Sequence, residues 1–358
     1  MNAITLILLA SVFYAIAYKF YAGFITKRLE VNNNIETPAH TMKDGVDYDP
    51  AKAPILLGHH FASIAGAGPI VGPVIAAGFG WVPVYLWIVF GAIFIGGVHD
   101  YSSIIASVRH KSKSIGYIIE TYIGVSGKKL FLIFAWSTLV LVIAVFTIIV
   151  ADTFTHIPSS GTSSILFIIL AVLFGLGYYR LKIPLSAATV IGVLLLFACI
   201  PLGNLFPLEL SNLTWQIILF VYIYFASTLP VWILLQPRDY LNSFFLYALM
   251  FFGLIGAFFS APELNIPAFS SFSLEKVGYL FPALFVTVAC GAISGFHSIV
   301  GSGTTAKQLN KETDGRIVGY GGMLIEGLLA VLSLISVASL VNKEFIDILV
   351  TKGPVAAF

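Results

Sequence analysis

The sequence predicts an all-α polytopic membrane protein, with about ten transmembrane helices and discontinuous helices in its core. The first observation is composition: 58% of the 358 residues are hydrophobic, 10% are charged, and the mean hydropathy is +0.96. The second is that apolar runs recur at the length of about 20 residues that a helix needs to cross a bilayer. The third is that glycine, proline and histidine interrupt several of these runs, which a lipid-facing helix would not tolerate.

The apolar runs predict ten spans. They lie near residues 3–24, 54–78, 81–108, 130–151, 164–180, 184–201, 213–235, 241–261, 281–303 and 317–341. When the N-terminus is placed outside, most of the 19 lysines and arginines fall in the loops of one side, as is typical of cytoplasmic loops. We therefore expect a multi-pass protein whose N-terminus is outside.

These spans divide the chain into three predicted parts. Residues 1–53 hold a peripheral helix and a cytoplasmic loop, residues 54–341 form the transport core, and residues 342–358 begin an outer segment. The chain stops soon after the tenth span without a polar tail, so we expect that a C-terminal region is missing. Cys199 and Cys290 lie in apolar segments and are predicted to be buried thiols rather than a disulfide.

The second span is the most informative segment, because it combines two histidines with glycines and prolines at membrane depth. Proline lacks an amide donor and glycine weakens a helix, so the span is predicted to break. Backbone freed at that depth must face protein or a water-filled cavity. Neighbouring side chains on a helix point about 100° apart, so one of the two imidazoles is expected to face this pathway. The candidate pathway residues here are His59, His60, Gly66, Gly68 and Pro69.

The seventh span is also predicted to break, because Ser227 and Thr228 precede Pro230. Spans two and seven are five apart and therefore cross the membrane in opposite directions. Transporters built from two inverted five-helix repeats, of the leucine-transporter type, place two discontinuous helices at the substrate site. The pattern therefore indicates an inverted-repeat core, with Ser227 and Thr228 beside the substrate.

In that scheme the ninth span contributes to a possible sodium site. Its hydroxyl groups and the freed carbonyls of the second span are oxygen ligands of the kind that a hard cation prefers. The candidate sodium ligands are Ser302, Thr304 and Thr305. The scheme needs one more span than this chain has, which again indicates a truncated core.

Four further ionisable residues lie inside predicted spans, where charge is expensive and a functional role is the default expectation. His297 precedes the Gly-Ser-Gly segment of the ninth span and is a candidate pathway residue. His99, Asp100 and Glu326 are candidates for proton coupling. The alternatives are structural: a packed His99–Asp100 hydrogen bond, a Glu326–histidine pair, or histidines in the second span that bond loop carbonyls.

Five separated segments resemble the carbon starvation protein A family, from the second span to the end of the chain. They are Gly58–Pro73, Gly97–Ser103, Gln236–Leu241, Gly295–Thr305 and Gly319–Glu326. The resemblance implies a bacterial inner-membrane secondary transporter for small peptides or pyruvate, with proton coupling as the usual expectation. Members of the family are generally longer at the C-terminus.

The favoured function is cation-coupled symport by alternating access during carbon starvation, with H⁺ favoured over Na⁺ and with no enzyme activity. The expected partners are a small-molecule substrate (a peptide or pyruvate) and membrane lipid, but not nucleic acid, and the oligomeric state stays open. No cofactor is predicted apart from the possible Na⁺. One alternative is an intramembrane metal-dependent enzyme that uses the embedded histidines, although H-E-x-x-H is absent. The other alternative is a passive facilitator.

Overall fold

The computed structural model describes residues 2–45, 47–229, 233–275 and 277–340. These residues form helices joined by turns and loops, and the strands among them make a single two-stranded antiparallel hairpin. The chain divides into two compact units. Unit 1 holds Met1–Ile115 and Leu246–Phe358, and unit 2 holds Gly116–Phe245.

Unit 1 contains the elements that precede and follow unit 2 in the chain. Its first elements are α1 (Ala3–Arg28), α2 (Pro38–Thr41), α3 (Ala53–Ile64), α4 (Gly68–Phe79) and α5 (Trp81–Arg109). Unit 2 consists of α6 (Ile115–Ile123), α7 (Val125–His156), α8 (Pro158–Tyr179), α9 (Leu185–Leu205), α10 (Asn212–Thr228) and the start of α11 (Leu235–Ser260).

The chain then returns to unit 1 through the rest of α11. There it forms β1 (Ser273–Leu274), β2 (Gly278–Tyr279), α12 (Leu280–Thr287), α13 (Ala289–Ile293), α14 (Phe296–Val300), α15 (Ala306–Gln308) and α16 (Arg316–Ser339). A π-helical turn, Gly301–Thr305, joins α14 to α15.

The predicted all-α polytopic membrane class is confirmed. Among the described residues, seven helices are long and apolar enough to cross a membrane, and the bent pair α3 and α4 makes an eighth candidate. The predicted seventh span corresponds to α10, which has 17 residues. The predicted ninth span is divided into the short helices α12 to α14 and the start of the π-helical turn Gly301–Thr305. A total of ten spans and the inverted repeat stay predictions, and residues 342–358 lie outside the described residues.

The predicted break in the second span is present. Helices α3 and α4 are bent by 46° across three residues. The helix ends at Ala65, whose ψ of 63° is not helical, and the amide of Ala65 still bonds to the carbonyl of Phe61. Pro69 lies in the first turn of the next helix, at a position where a missing amide costs nothing. The glycines and prolines therefore act as expected from their backbone chemistry.

Small residues bring the broken segments of unit 1 into close contact. A Cβ atom at Gly72 would lie 2.4 Å from the carbonyl oxygen of Thr287, and one at Gly96 would lie 2.5 Å from the carbonyl oxygen of Ala292. A Cβ atom at Gly291 would lie 2.6 Å from the Cβ of Ala330. Close backbone approach through small residues is how membrane helices commonly pack. As a result, α12 and α13 lie against α4, α5 and α16.

Candidate functional site

Three ionisable residues from three different helices meet in the core of unit 1. His297 on α14 lies between Asp100 on α5 and Glu326 on α16. Its Nδ1 is 2.8 Å from Asp100 Oδ2, and its Nε2 is 3.3 Å from Glu326 Oε2. All three side chains are fully buried. The structure therefore assembles predicted pathway and proton-coupling residues into one linear cluster.

The local backbone explains how these side chains are placed. A π-helical turn, Ala92–Gly96, precedes Asp100 within α5, and a second one, Arg316–Gly321, begins α16. The turn Gly301–Thr305 follows His297. Such π-turns shift the direction of the side chains that follow them and occur frequently at functional sites.

His99 extends the cluster to the surface of unit 1. Its Nδ1 lies 3.1 Å from Asp100 Oδ1, and about a third of its side chain (34%) is exposed. Asp100 thus holds His99 with one carboxylate oxygen and His297 with the other. The hydrogen-bonded pair of His99 and Asp100, which the sequence offered as a structural alternative, is present and is continuous with the buried groups. The result is a chain of four titratable side chains from the surface into the core.

The inner end of this chain is short of hydrogen bonds. His297 Nε2 and both carboxylate oxygens of Glu326 have no hydrogen-bond partner of good geometry among the described residues. When both carboxylates are ionised, Asp100 and Glu326 leave one excess negative charge even with a positively charged His297. A buried charge without a partner is costly, so an added proton or another cation would stabilise the cluster.

Cys290 is the member of the cluster whose place the sequence analysis missed. Its Sγ, a ring nitrogen of His297 and a carboxylate oxygen of Glu326 all lie within 4.8 Å of one another. Thiolate, imidazole and carboxylate are the ligand types of zinc and related metals, so these three residues could hold such an ion. A metal on Nε2 would exclude a proton from the same atom, so the two uses of the cluster compete.

A second buried contact joins the broken second span to the π-turn after α14. His60 Nδ1 lies 2.9 Å from Thr305 Oγ1, and both residues are fully buried. His59 is buried as well. Thr305 is one of the predicted sodium ligands, and in this arrangement its hydroxyl group is bonded to an imidazole.

The other two predicted sodium ligands, Ser302 and Thr304, differ in how deeply they are buried. Ser302 is buried and its hydroxyl accepts a hydrogen bond of 3.3 Å from the amide of Ile115, whereas Thr304 is half-buried. The sodium site stays a prediction.

The remaining candidate residues of the two predicted breaks have different surroundings. A Cβ atom at Gly68 would lie 2.5 Å from the Cβ of Cys290, so the start of α4 touches the cluster, whereas Gly66 has open space around it. Ser227 and Thr228 lie in unit 2 at the end of α10, where they are exposed. The hydroxyls of both donate to the carbonyl oxygen of Tyr224, within their own helix.

Comparisons with known proteins agree with the membrane architecture and with the resemblance seen in the sequence. The family model described as Carbon starvation protein CstA matches residues 2–357. The peptide transporter CstA of Bacillus subtilis is 38% identical over 97% of this chain and 60% of its own length. The peptide transporter CstA of Helicobacter pylori is 38% identical over 93% of this chain and 51% of its own length.

A relative with another printed substrate is the pyruvate/proton symporter BtsT of Escherichia coli, which is 35% identical over 90% of this chain and 47% of its own length. This chain thus spans about half the length of the curated relatives that it matches. No solved structure matches it. The relatives are named as transporters and not as enzymes, in agreement with the expectation from the sequence. The chain belongs to the carbon starvation protein CstA family.

Proposed function

We propose that this chain is the transport core of a proton-coupled secondary transporter that imports small peptides or pyruvate by alternating access. The observation that carries the proposal is the chain of His99, Asp100, His297 and Glu326, which runs from the surface of unit 1 into its core beside two broken membrane segments. Ionisable groups in this position are typical of proton relays in transporters. The printed names of the relatives, which include a peptide transporter and a pyruvate/proton symporter, support the same class of substrate and ion.

The proton enters this proposed pathway at His99 and ends at Glu326. The distances along the chain are 3.1 Å from His99 to Asp100, 2.8 Å from Asp100 to His297 and 3.3 Å from His297 to Glu326. One added proton on Glu326 removes the excess negative charge of the cluster. A buried excess charge raises the free energy of the conformation that holds it. The number of protons bound to the cluster therefore changes the relative stability of the transporter's conformations.

The substrate is proposed to bind at the break between α3 and α4, near Gly66, Gly68 and Pro69. The N-terminus of a helix attracts anions through its free amides and its dipole. Pyruvate and the C-terminus of a peptide both carry a carboxylate. Gly68 contacts Cys290, so a substrate held at this end of α4 lies beside the proton-binding cluster. His59 and His60 on α3 form the other wall of this proposed site.

Several finer features belong to the same proposal. The protein crosses the bacterial inner membrane with its N-terminus outside, serves uptake during carbon starvation, and has an inverted-repeat core, for which Ser227 and Thr228 stay candidate pathway residues. Sodium at Ser302, Thr304 and Thr305 is the second candidate for the coupling ion. The Lys and Arg bias of the loops supports the orientation.

The test is uptake of labelled pyruvate and of a labelled dipeptide into proteoliposomes that contain the whole protein. Proton and sodium gradients are imposed one at a time, and each is then collapsed with an ionophore. Proton-driven accumulation that stops when the gradient collapses is the expected result. Accumulation driven by sodium alone would show that sodium is the coupling ion and would favour the candidate ligands Ser302, Thr304 and Thr305. Equilibration without accumulation would identify a facilitator.

The metal-dependent enzyme is the one alternative that a specific arrangement favours, namely Cys290, His297 and Glu326. It predicts stoichiometric zinc in the purified protein and substrate turnover in detergent, where no gradient exists. Metal analysis of the sample used for transport separates the two cases. Stoichiometric zinc would contradict proton coupling through His297.

A further inference from the structure

Unit 2 contains a cavity that takes no part in the proposed transport mechanism. Its volume is about 330 Å³ and it is lined by residues of α7 to α11. Most of the lining is aliphatic or aromatic, including Phe167, Ile168, Leu196 and Leu219. Protein interiors are close-packed and have few voids larger than a water molecule. This cavity is large enough for a ligand and is partly open to the surface of unit 2, and its lining indicates an apolar ligand.

The cavity is extended along the helices. On α10 its lining runs from Trp215 to Tyr222, and on α8 it runs from Ser164 to Ala171. Each of these stretches covers about 10 Å along a helix axis, at a rise of about 1.5 Å per residue. This length fits a section of an acyl chain. The surrounding helices also carry large exposed apolar side chains, such as Ile169 and Phe220, which face the hydrocarbon phase of a bilayer.

Polar groups line the cavity at one end. Arg238 donates to Tyr222 Oη at 2.9 Å through Nη1, and to Asp239 Oδ1 at 2.9 Å through Nε and 2.7 Å through Nη2. A guanidinium group has five N–H donors, so two are left beyond these three bonds within the described residues. About a third of the Arg238 side chain (36%) is exposed. Arg238 can thus bind a further acceptor outside the cavity.

The same end of unit 2 is positively charged. Tyr179 donates a hydrogen bond of 2.8 Å to Gln236, which places the turn after α8 next to the start of α11. That turn carries Arg180 and Lys182, both exposed. Within the part of the chain that the structure describes, this end thus carries the cations of Arg180, Lys182 and Arg238 and the carboxylate of Asp239. Basic pockets between membrane helices are typical binding sites for anionic lipid headgroups.

We propose that this cavity binds one acyl chain of an anionic phospholipid from the surrounding bilayer, with the phosphate held by Arg238. The apolar lining of the cavity binds the acyl chain, and the basic residues at one end of the cavity bind the anionic headgroup. The neighbouring lipid is the source of both parts, because four of the lining helices, α7, α8, α9 and α11, are long and apolar enough to cross the membrane. The binding is independent of the proton-coupling cluster, all of which lies in unit 1.

The test is native mass spectrometry of the whole protein released from nanodiscs that contain phosphatidylglycerol or phosphatidylcholine. The expected result is one retained lipid per chain, with phosphatidylglycerol preferred. A diazirine on the acyl chain of the retained lipid is expected to label side chains that line the cavity. Equal retention of both lipids, or no retained lipid, would overturn the proposal.

Two matched pairs of variants locate the site. Ile168→Trp and Leu219→Trp fill the cavity and are expected to abolish retention, whereas Ile169→Trp and Phe220→Trp place the same ring on the exposed face and are expected to retain the lipid. Each cavity variant has its own control, Ile169→Trp for Ile168→Trp and Phe220→Trp for Leu219→Trp, so one pair still gives a result if the cavity variant of the other pair does not fold. Retention by both cavity variants would contradict the assignment.

A further variant tests the headgroup site. Arg238→Gln is expected to lower the preference for phosphatidylglycerol about fivefold, since one cation near an anionic headgroup contributes roughly 1 kcal/mol. Arg238→Lys, which keeps the charge, is expected to retain most of the preference. An unchanged preference in Arg238→Gln would overturn the proposed contact with the phosphate.

Discussion

His60 and Thr305 are 245 positions apart in the chain, yet His60 Nδ1 lies 2.9 Å from Thr305 Oγ1 in a fully buried contact. The contact ties the helix before the break at Ala65 to the π-turn that follows His297. Movement of either segment during a transport cycle therefore requires this bond to break or both segments to move together. Thr305 has a structural task here that does not depend on sodium.

Thr305→Val is expected to lower the initial uptake rate about tenfold, because loss of a buried hydrogen-bond partner costs roughly 1–3 kcal/mol and so depopulates the conformation in which α3 is bonded to the π-turn. Valine has the shape of threonine without the hydroxyl group, so packing is largely kept. Thr305→Ser, which retains the hydroxyl, is expected to keep most of the rate. Uptake into proteoliposomes across a series of sodium concentrations measures both variants.

The sodium series separates the two roles of Thr305. If the hydroxyl only holds His60, the rate of Thr305→Val falls by the same factor at every sodium concentration. A rate that recovers when sodium is raised would show instead that the hydroxyl is a sodium ligand.

Glu326→Gln is expected to abolish proton-driven accumulation while exchange of labelled for unlabelled substrate continues. Glutamine keeps the size of glutamate but cannot take up and release the proton that neutralises the cluster. His297→Gln is expected to behave in the same way, because it interrupts the chain between Asp100 and Glu326. Accumulation and exchange are measured on the same proteoliposomes.

A matched control for this experiment is Glu263→Gln, which changes an exposed carboxylate of unit 1. It is expected to accumulate substrate like the unmodified protein. Loss of exchange together with accumulation in Glu326→Gln, accompanied by a lower melting temperature, would indicate that Glu326 has only a structural role.

Gly68→Ala is expected to impair folding or transport, because its Cβ would lie 2.5 Å from the Cβ of Cys290. Forcing an extra carbon into a packed core typically costs roughly 1–3 kcal/mol. Gly66→Ala is the control and is expected to be tolerated, since among the described residues no atom beyond Gly66 and its chain neighbours lies within 4 Å of the added carbon. The melting temperature and the initial uptake rate are the two readouts.

A second substitution tests whether this contact is the cause. Cys290→Gly removes the opposing Cβ, so the double variant Gly68→Ala/Cys290→Gly is expected to recover stability relative to the sum of the two single changes. Gly72→Ala meets the carbonyl oxygen of Thr287 at 2.4 Å, a backbone atom, and is not expected to be rescued by Cys290→Gly. Additive effects of Gly68→Ala and Cys290→Gly would contradict the contact between α4 and α13.

The sequence predicted the membrane class and the break in the second span, because both depend on local chemistry. Apolar runs indicate spans, and glycine with proline indicates a helix end wherever it stands in the chain. His99, Asp100, His297 and Glu326 were each identifiable as candidates, since a charge at membrane depth is expensive in any fold.

Their assembly could not be predicted in the same way. Asp100 and His297 are 197 positions apart, and their contact depends on the packing of α5 against α14. Cys290 was predicted only as a buried thiol, because its importance arises from His297 and Glu326 arriving beside it. The tie between His60 and Thr305 was missed because threonine's hydroxyl group suits an ion and an imidazole equally well.

Glu312 is expected to stabilise the predicted cytoplasmic side of unit 1. Its fully buried carboxylate accepts hydrogen bonds from the amide of Asn32 at 3.0 Å, and from Nε and Nη2 of Arg109, each at 3.3 Å. Glu312→Gln replaces one acceptor oxygen by a donor that faces these donors. We expect the free energy of unfolding to fall by about 1–3 kcal/mol, the usual cost of leaving a buried partner unsatisfied.

Asp49→Asn breaks an exposed pair with Lys43 in the same loop and is expected to change little, because exposed pairs contribute roughly 0–1 kcal/mol. Equal melting temperatures for the two variants would show that the Glu312 bonds do not hold this side of unit 1 together.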